Sequence, residues 1–236
     1  QDLMEKTTML KPLPQYRRKC ARCTCSKGRW AVVTGDGAQM YKEVPGSRVL
    51  QRFSKLAKLT QAQTRTKAAA LFRENGKPKP KLVKTAFRKK GVSCYSFEQI
   101  ASIIRYSNAQ CTGRLGPYTV YQKKGTQMGG VMSGIKASLD FGACEDYWIR
   151  HERQRKQAKF HLKGYQFSDL CVAIRYADDG LFASEVWCRR CLEHMGAKIY
   201  RRPILYEVAD AAETCEETPA PRVDWLDVTT EWEGEC

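Results

Sequence analysis

No apolar run in the chain approaches the ~18 residues a membrane-spanning helix needs, so the sequence predicts no helical span. The first twenty residues, QDLMEKTTMLKPLPQYRRKC, lack the apolar core of a secretory signal. They also lack a Met at position 1, so the chain reads as an internal piece of a longer protein. There is no internal repeat and no low-complexity tract. The cysteine count, 11, is odd and comes without a secretory context, which excludes a simple disulfide framework and predicts reduced intracellular thiols.

What is present is an ordinary globular composition, 42% hydrophobic and 28% charged over 236 residues, enough for one large domain or two small ones. The charge is uneven. Residues 207–236 hold ten Asp and Glu against Arg222, so from a net charge of +16 the preceding 206 residues carry +25. A domain that basic is expected to bind a polyanion, because each phosphate it neutralises releases counterions. A nuclear or otherwise nucleic-acid-associated location follows as an expectation. The composition shifts divide the chain into a basic, Cys-rich segment (1–28), a central domain (29–206) and an acidic C-terminal segment (207–236).

Trp30-Ala-Val-Val33 reads as a buried strand that delivers Asp36 at its end. Ser47 is placed as the N-cap of a helix carrying Val49, Leu50, Phe53, Leu56 and Leu59 on one core-facing stripe. Residues 74–90, ENGKPKPKLVKTAFRKK, read as a basic connector. Ser96-Phe-Glu-Gln99 has the spacing of a capping box, leading a helix with Phe97, Ile100 and Ile104 inward. GPYTVYQ (116–122) is expected as a strand and KKGTQMGG as a Gly-rich turn. A helix follows over about 131–148 and runs on into the basic stretch 150–163. Cys171–Ile174 and Leu181-Phe182 form a hairpin around Ala177-Asp-Asp-Gly180. A helix over 185–196 and a last strand near VDWLDVTTEW complete the pattern, which is that of an α+β fold with an antiparallel sheet backed by helices.

Asp36, Asp178 and Asp179 all arrive at strand ends. If both strands are central in one sheet, three carboxylates meet, and such a cluster is costly unless cations occupy the gap. Mg²⁺ takes carboxylate oxygens together with substrate phosphates, and two such ions make a phosphoryl-transfer site.

These segments carry a resemblance. RYADDGLF (175–182) is similar to the Tyr-x-Asp-Asp hairpin of reverse transcriptases, and VVTGDGAQMYKEVP resembles their first palm motif, with Tyr41 as its aromatic and Pro45 after it. VYQKKGTQMGGVMSG resembles the Gly-rich second motif, and DWLDVTT the Phe-Leu-Asp-Val stretch of Penelope-like retroelement enzymes, relatives of telomerase. The resemblance implies a right-hand palm with partial fingers. It implies RNA-templated DNA synthesis with Mg²⁺ or Mn²⁺ held by Asp36 and Asp178, and Asp179 beside them. Tyr41 would exclude a 2′-hydroxyl on the incoming nucleotide. Gln122, Met128, Gly129 and Gly130 would lie against template and nascent pair, Ser133 would cap the next helix, and Lys198 would protonate the leaving pyrophosphate. Partners implied are an RNA template, a DNA or RNA primer and dNTPs. Gly134 departs from the pattern, standing where Pro is usual.

Two alternatives stay open: an RNA-dependent RNA polymerase, and a non-catalytic nucleic-acid-binding remnant of the same fold. Separately, Cys20/Cys23 and Cys188/Cys191 are Cys-x-x-Cys pairs whose spacing suits tetrahedral Zn²⁺. They flank the strands that carry Asp36 and Asp179, at the ends away from those carboxylates, so the two pairs could meet in one structural zinc site.

Overall fold

Ala31, Val32 and Val33 are fully buried, and this apolar run opens β1 (Ala31–Ala38), the strand around which the first of two compact units is built. The computed structural model describes residues 19–38, 40–74, 76–110, 112–126, 132–200, 205–213, 222–226 and 228–231. The chain forms two compact units, Gln1–Met40 with Phe141–Cys236, and Tyr41–Asp140. The division separates charge as well. Residues 41–140 hold 20 Lys and Arg against four Asp and Glu, so the whole net charge of +16 lies in that unit and the other is neutral.

Unit Tyr41–Asp140 contains α1 (Met40–Glu43, save its first residue), α2 (Gly46–Thr64), β2 (Ala68–Glu74), β3 (Lys77–Val83), β4 (Ser93–Ser96), α3 (Phe97–Ala109), β5 (Thr112–Leu115) and β6 (Tyr118–Tyr121). The capping box before α3 is formed: Ser96 Oγ accepts from Gln99 N–H and Gln99 Oε1 accepts from Ser96 N–H. Ile104 is buried, and Phe97 meets Phe53 of α2 edge-on at 6.5 Å. Three expectations need correction. Pro45, not Ser47, is the residue before α2; proline fixes the extended entrance but offers no side-chain acceptor. Of the stripe on α2 only Val49 is buried, while Leu56 and Leu59 are exposed; α3 meets the helix through Asn108 at the Gly46 carbonyl and Phe97 at Phe53, in its first half. Lys77–Val83 of the basic connector form a strand, β3, paired along its length with β2. It lies at the edge of the sheet β3-β2-β4, the position at which a sheet tolerates prolines such as Pro78 and Pro80.

Helix α4 (Ser133–Arg150) follows. It stops at Arg150 and does not run on through the basic stretch; α5 (Glu152–Gln157) is separate. Arg155 explains the stop: its buried guanidinium donates to the terminal carbonyls of Trp148 and Ile149. The remaining elements are α6 (Phe167–Leu170), β7 (Val172–Tyr176), β8 (Asp179–Ser184), α7 (Arg189–Ile199), β9 (Leu205–Glu213), β10 (Arg222–Trp225) and β11 (Val228–Glu231). The helix expected over 185–196 starts four residues later, with Cys188 as its N-cap.

The neutral unit's sheet is antiparallel in the order β7-β8-β1-β9. Here too the sequence reading needs correction. Strand β7, which leads to Asp178, is at an edge, and the central strands are β8 and β1. Strand β9 was hidden in the acidic segment, and the last apolar stretch forms a separate two-stranded hairpin, β10-β11. Alternation assigns the faces. Val32, Leu181, Ala183 and Val172 share one face and pack with Val223 of β10. On the other face Phe182 meets Tyr206 at 5.7 Å, and an aromatic cluster of Trp148, Phe160, Phe167 and Trp187 is buried behind the same unit.

Candidate active site

The turn between β7 and β8 is two residues long, Ala177 and Asp178, since Tyr176 already pairs with Asp179. Ala177 takes a left-handed conformation, φ 52°, which costs an alanine on the order of 1 kcal/mol. Arg175 holds that turn, donating from Nη1 to the Ala177 carbonyl at 2.7 Å and from Nε to Glu145 at 2.6 Å. Glu145 in turn accepts from the Tyr200 hydroxyl at 2.8 Å. The basic residue nearest the Asp pair in sequence is therefore engaged with another acid and with the backbone.

Opposite the turn, Gly37 N–H donates to the Asp178 carbonyl at 3.1 Å, and Asp36 is the direct cross-strand partner of Asp179. Directly paired residues project to one face, so these carboxylates stand side by side. Strand β9 adds a fourth, Glu207, paired with Asp36 from the other edge of β1. Its placement depends on a bulge: β1 pairs Thr34 with Asp210 but Gly35 with Val208, leaving Ala209 unpaired. Were the ladder to run on unbulged from the Thr34–Asp210 pair, Ala209 would stand opposite Gly35 and Val208 opposite Asp36. Sequence reasoning missed Glu207 because nothing local shows which register an acidic strand adopts. Asp210, three residues along, is used by the backbone, accepting from Ala211 and Asp224 N–H groups.

Burial, then the charges of Asp178, Asp179 and Glu207, hold the Asp36 carboxyl above its ordinary range. Burial and Asp178 do the same to Asp179. Asp36 Oδ1 is buried with no hydrogen-bond partner among the described residues. A carboxylate cluster with an orphaned buried oxygen and neighbouring charges of one sign fits a hard divalent cation as the missing partner.

The glycines behind the site make room for one ring. A Cβ on Gly35 would lie 2.5 Å from Tyr206, one on Gly196 of α7 2.3 Å, and one on Gly180 3.4 Å. The Tyr206 hydroxyl donates to the Gly180 carbonyl at 3.3 Å, and burial with the nearby Asp36 and Asp179 charges raises its pKa. Tyr206 thus braces the backbone on which Asp36 and Asp179 are mounted.

The fold has a solved likeness. It is similar to the structure of apo telomerase from Candida tropicalis, at a TM-score of 0.57 and 13% identity, over 96% of this chain and 33% of that one. The chain therefore spans about a third of that protein's chain. No protein-family model and no curated protein matches. The likeness is one of fold: a mixed α/β chain of antiparallel sheets and helices.

The other residues singled out in the sequence are placed as follows. Tyr41 lies in α1, half-buried, and its carbonyl accepts from Thr126 N–H at 2.5 Å. Gly125, at φ +79°, is pressed against the carbonyls of Tyr41 and Lys42, so no side chain fits there. The Gln122 amide donates to the carbonyls of Lys124 and Thr126, which braces the turn that precedes the Gly-rich motif. Ser133 is the first residue inside α4 and not its cap; the Met132 carbonyl already accepts from Lys136 N–H. Lys198 is exposed in the last turn of α7. Met128, Gly129 and Gly130 lie outside the described residues. Cys20, Cys23, Cys188 and Cys191 are brought together, their sulfurs all within 4.8 Å of one another.

Proposed function

We propose that the chain is the palm, with part of the fingers, of an RNA-directed DNA polymerase of the Penelope-like, telomerase-related kind. The observation that carries the reading is the carboxylate cluster of Asp36 and Asp179, paired on adjacent strands, with Asp178 in the turn beside them. The likeness to a telomerase structure supports it at the level of fold.

In this reading Asp36 and Asp178 hold two Mg²⁺ or Mn²⁺ ions, with Asp179 and Glu207 alongside. Such ions lower the pKa of a primer 3′-hydroxyl and stabilise charge on the α-phosphate and the leaving pyrophosphate. The protein's part is positioning. Arg175, through the Ala177 carbonyl, fixes the turn that carries Asp178. Tyr206 fixes the strands that carry Asp36 and Asp179. Tyr41 stands under the incoming sugar and rejects a 2′-hydroxyl, Met128, Gly129 and Gly130 lie along template and nascent pair, and Lys198 donates a proton to pyrophosphate. The unit with 20 basic residues grips the phosphates of the RNA template and primer.

The test is primer extension on an RNA template with Mg²⁺ or Mn²⁺, offering dNTPs and NTPs separately, with Asp178→Asn as the control. Extension with dNTPs alone, abolished in the variant, is expected. Extension with NTPs would overturn the role of Tyr41 and favour an RNA polymerase; template binding without any extension would favour a non-catalytic remnant.

A further inference from the structure

The two Cys-x-x-Cys pairs are 165 residues apart, yet Cys23 Sγ and Cys188 Sγ lie 3.5 Å from each other and Cys20 Sγ and Cys191 Sγ 3.6 Å. Four sulfurs around one ion at a Zn–S distance of about 2.3 Å stand roughly 3.8 Å apart. These distances are far longer than a disulfide's ~2.05 Å.

The surroundings are built for the same purpose. Residues 19–26 form a tight hairpin: Lys19 bridges Ser26, Cys20 N–H donates to the Cys25 carbonyl, Thr24 N–H to the Cys20 carbonyl, and Thr24 sits at φ 61°. That turn brings buried Cys20 and exposed Cys23 to the second pair. The second pair opens α7, an 11-residue helix with Cys188 as N-cap and Cys191 in its first turn. Two links join the parts: Ala21 N–H donates to the Val186 carbonyl at 3.1 Å, and the Glu213 side-chain carboxylate accepts from Gly28 N–H and Arg189 N–H. Donors aim at the sulfurs. Cys188 N–H approaches Cys20 Sγ at 3.4 Å and Arg22 Nη1 approaches Cys191 Sγ at 3.6 Å. A neutral thiol cluster has little use for a guanidinium and a helix N-terminus; four thiolates around a divalent cation, net −2, do.

We propose that Cys20, Cys23, Cys188 and Cys191 bind one structural Zn²⁺, which clamps the hairpin before β1 to the helix after β8. It sits at the Ala31–Ser184 end of those paired strands, five residue steps and roughly 17 Å from Asp36 and Asp179. Each thiol yields its proton on binding, so uptake releases protons. Cys25, exposed and 3.1 Å from Cys23, stands outside the set of four.

The test is elemental analysis of the 236-residue chain purified with reductant and without chelator, then exchange with Co²⁺. About one zinc per chain is expected, and the cobalt form should show thiolate charge-transfer and tetrahedral d–d bands. Cys20→Ser and Cys191→Ser should each lower zinc content several-fold, and Cys25→Ser should leave it unchanged. Wild-type protein with no zinc and no cobalt bands, with iron in its place, or with zinc lost in Cys25→Ser would overturn the proposal. The wild-type spectrum decides even if a Ser variant fails to fold. Asp178→Asn should keep its zinc, so this proposal and the polymerase reading fail separately.

Discussion

Neutralising Asp36 should make the metal-free protein more stable, not less. Asp36 pairs directly with Asp179 on one side and Glu207 on the other, and paired Cα atoms in antiparallel strands lie about 5.5 Å apart. Two like charges at that distance repel by ~3 kcal/mol at an effective dielectric of ~20 and by ~0.8 kcal/mol in water. These side chains are partly exposed, so about 1 kcal/mol per facing carboxylate is the better figure. Asp36→Asn keeps the shape and removes both repulsions, so urea unfolding in chelator at pH 7 should show a gain of ~1–2 kcal/mol. The folded-state pKa of Asp36 is raised. The wild-type penalty is therefore absent below the unfolded carboxylate range near pH 4 and grows as pH rises through the folded value. The gain should accordingly vanish in acid. With Mn²⁺ at ten times its dissociation constant the wild type should gain about 1.4 kcal/mol, and Asp36→Asn should gain much less. A variant less stable than wild type in chelator at pH 7, or one stabilised by Mn²⁺ just as strongly, would refute the reasoning.

Other consequences are open to measurement. Gly196→Ala should cost ~1–3 kcal/mol by overpacking, since its Cβ would lie 2.3 Å from the Tyr206 ring; thermal unfolding reads the loss. Asp140→Ala should cost ~3 kcal/mol, because fully buried Asp140 pairs with Arg48 and lies 3.8 Å from Arg52, and its removal takes the shared carboxylate from two partly buried guanidiniums; the double variant Asp140→Leu with Arg48→Met should recover much of it in the same urea titration. Arg175→Ala frees the Ala177 carbonyl and Glu145. Primer extension should fall at least ten-fold in kcat with little change in KM, whereas an equal loss in both would contradict a positioning role.

Much of the site was legible in the sequence. The apolar runs before Asp36 and after Asp179 are short and bounded by turn residues, which is enough to read them as strands, and a turn around Ala177-Asp-Asp-Gly180 is a local matter, although pairing narrows it to Ala177 and Asp178. The capping box at Ser96 and Gln99 was legible for the same reason, since both partners lie within one helical turn. What misled was local evidence with a nonlocal answer. Pro78 and Pro80 look like loop residues until an edge strand accommodates them, and Leu56 and Leu59 look like core until the fold leaves them exposed. The acidic composition of β9 reads as solvated because its place in the sheet comes from backbone pairing with β1, which leaves its described side chains half-buried or exposed.

The sequence by itself determined that two carboxylate-bearing segments end strands, that the chain is strongly basic, and that thiols come in two metal-spaced pairs. Only the tertiary structure decided that Asp36 pairs with Asp179, that the net positive charge falls in the unit of residues 41–140, and that the cysteine pairs converge. It also decided that Glu207, and not Val208, faces Asp36. The physical reason is that strand registers and bulges are settled by packing between segments distant in sequence, where a one-residue shift at Ala209 exchanges an acid for a valine.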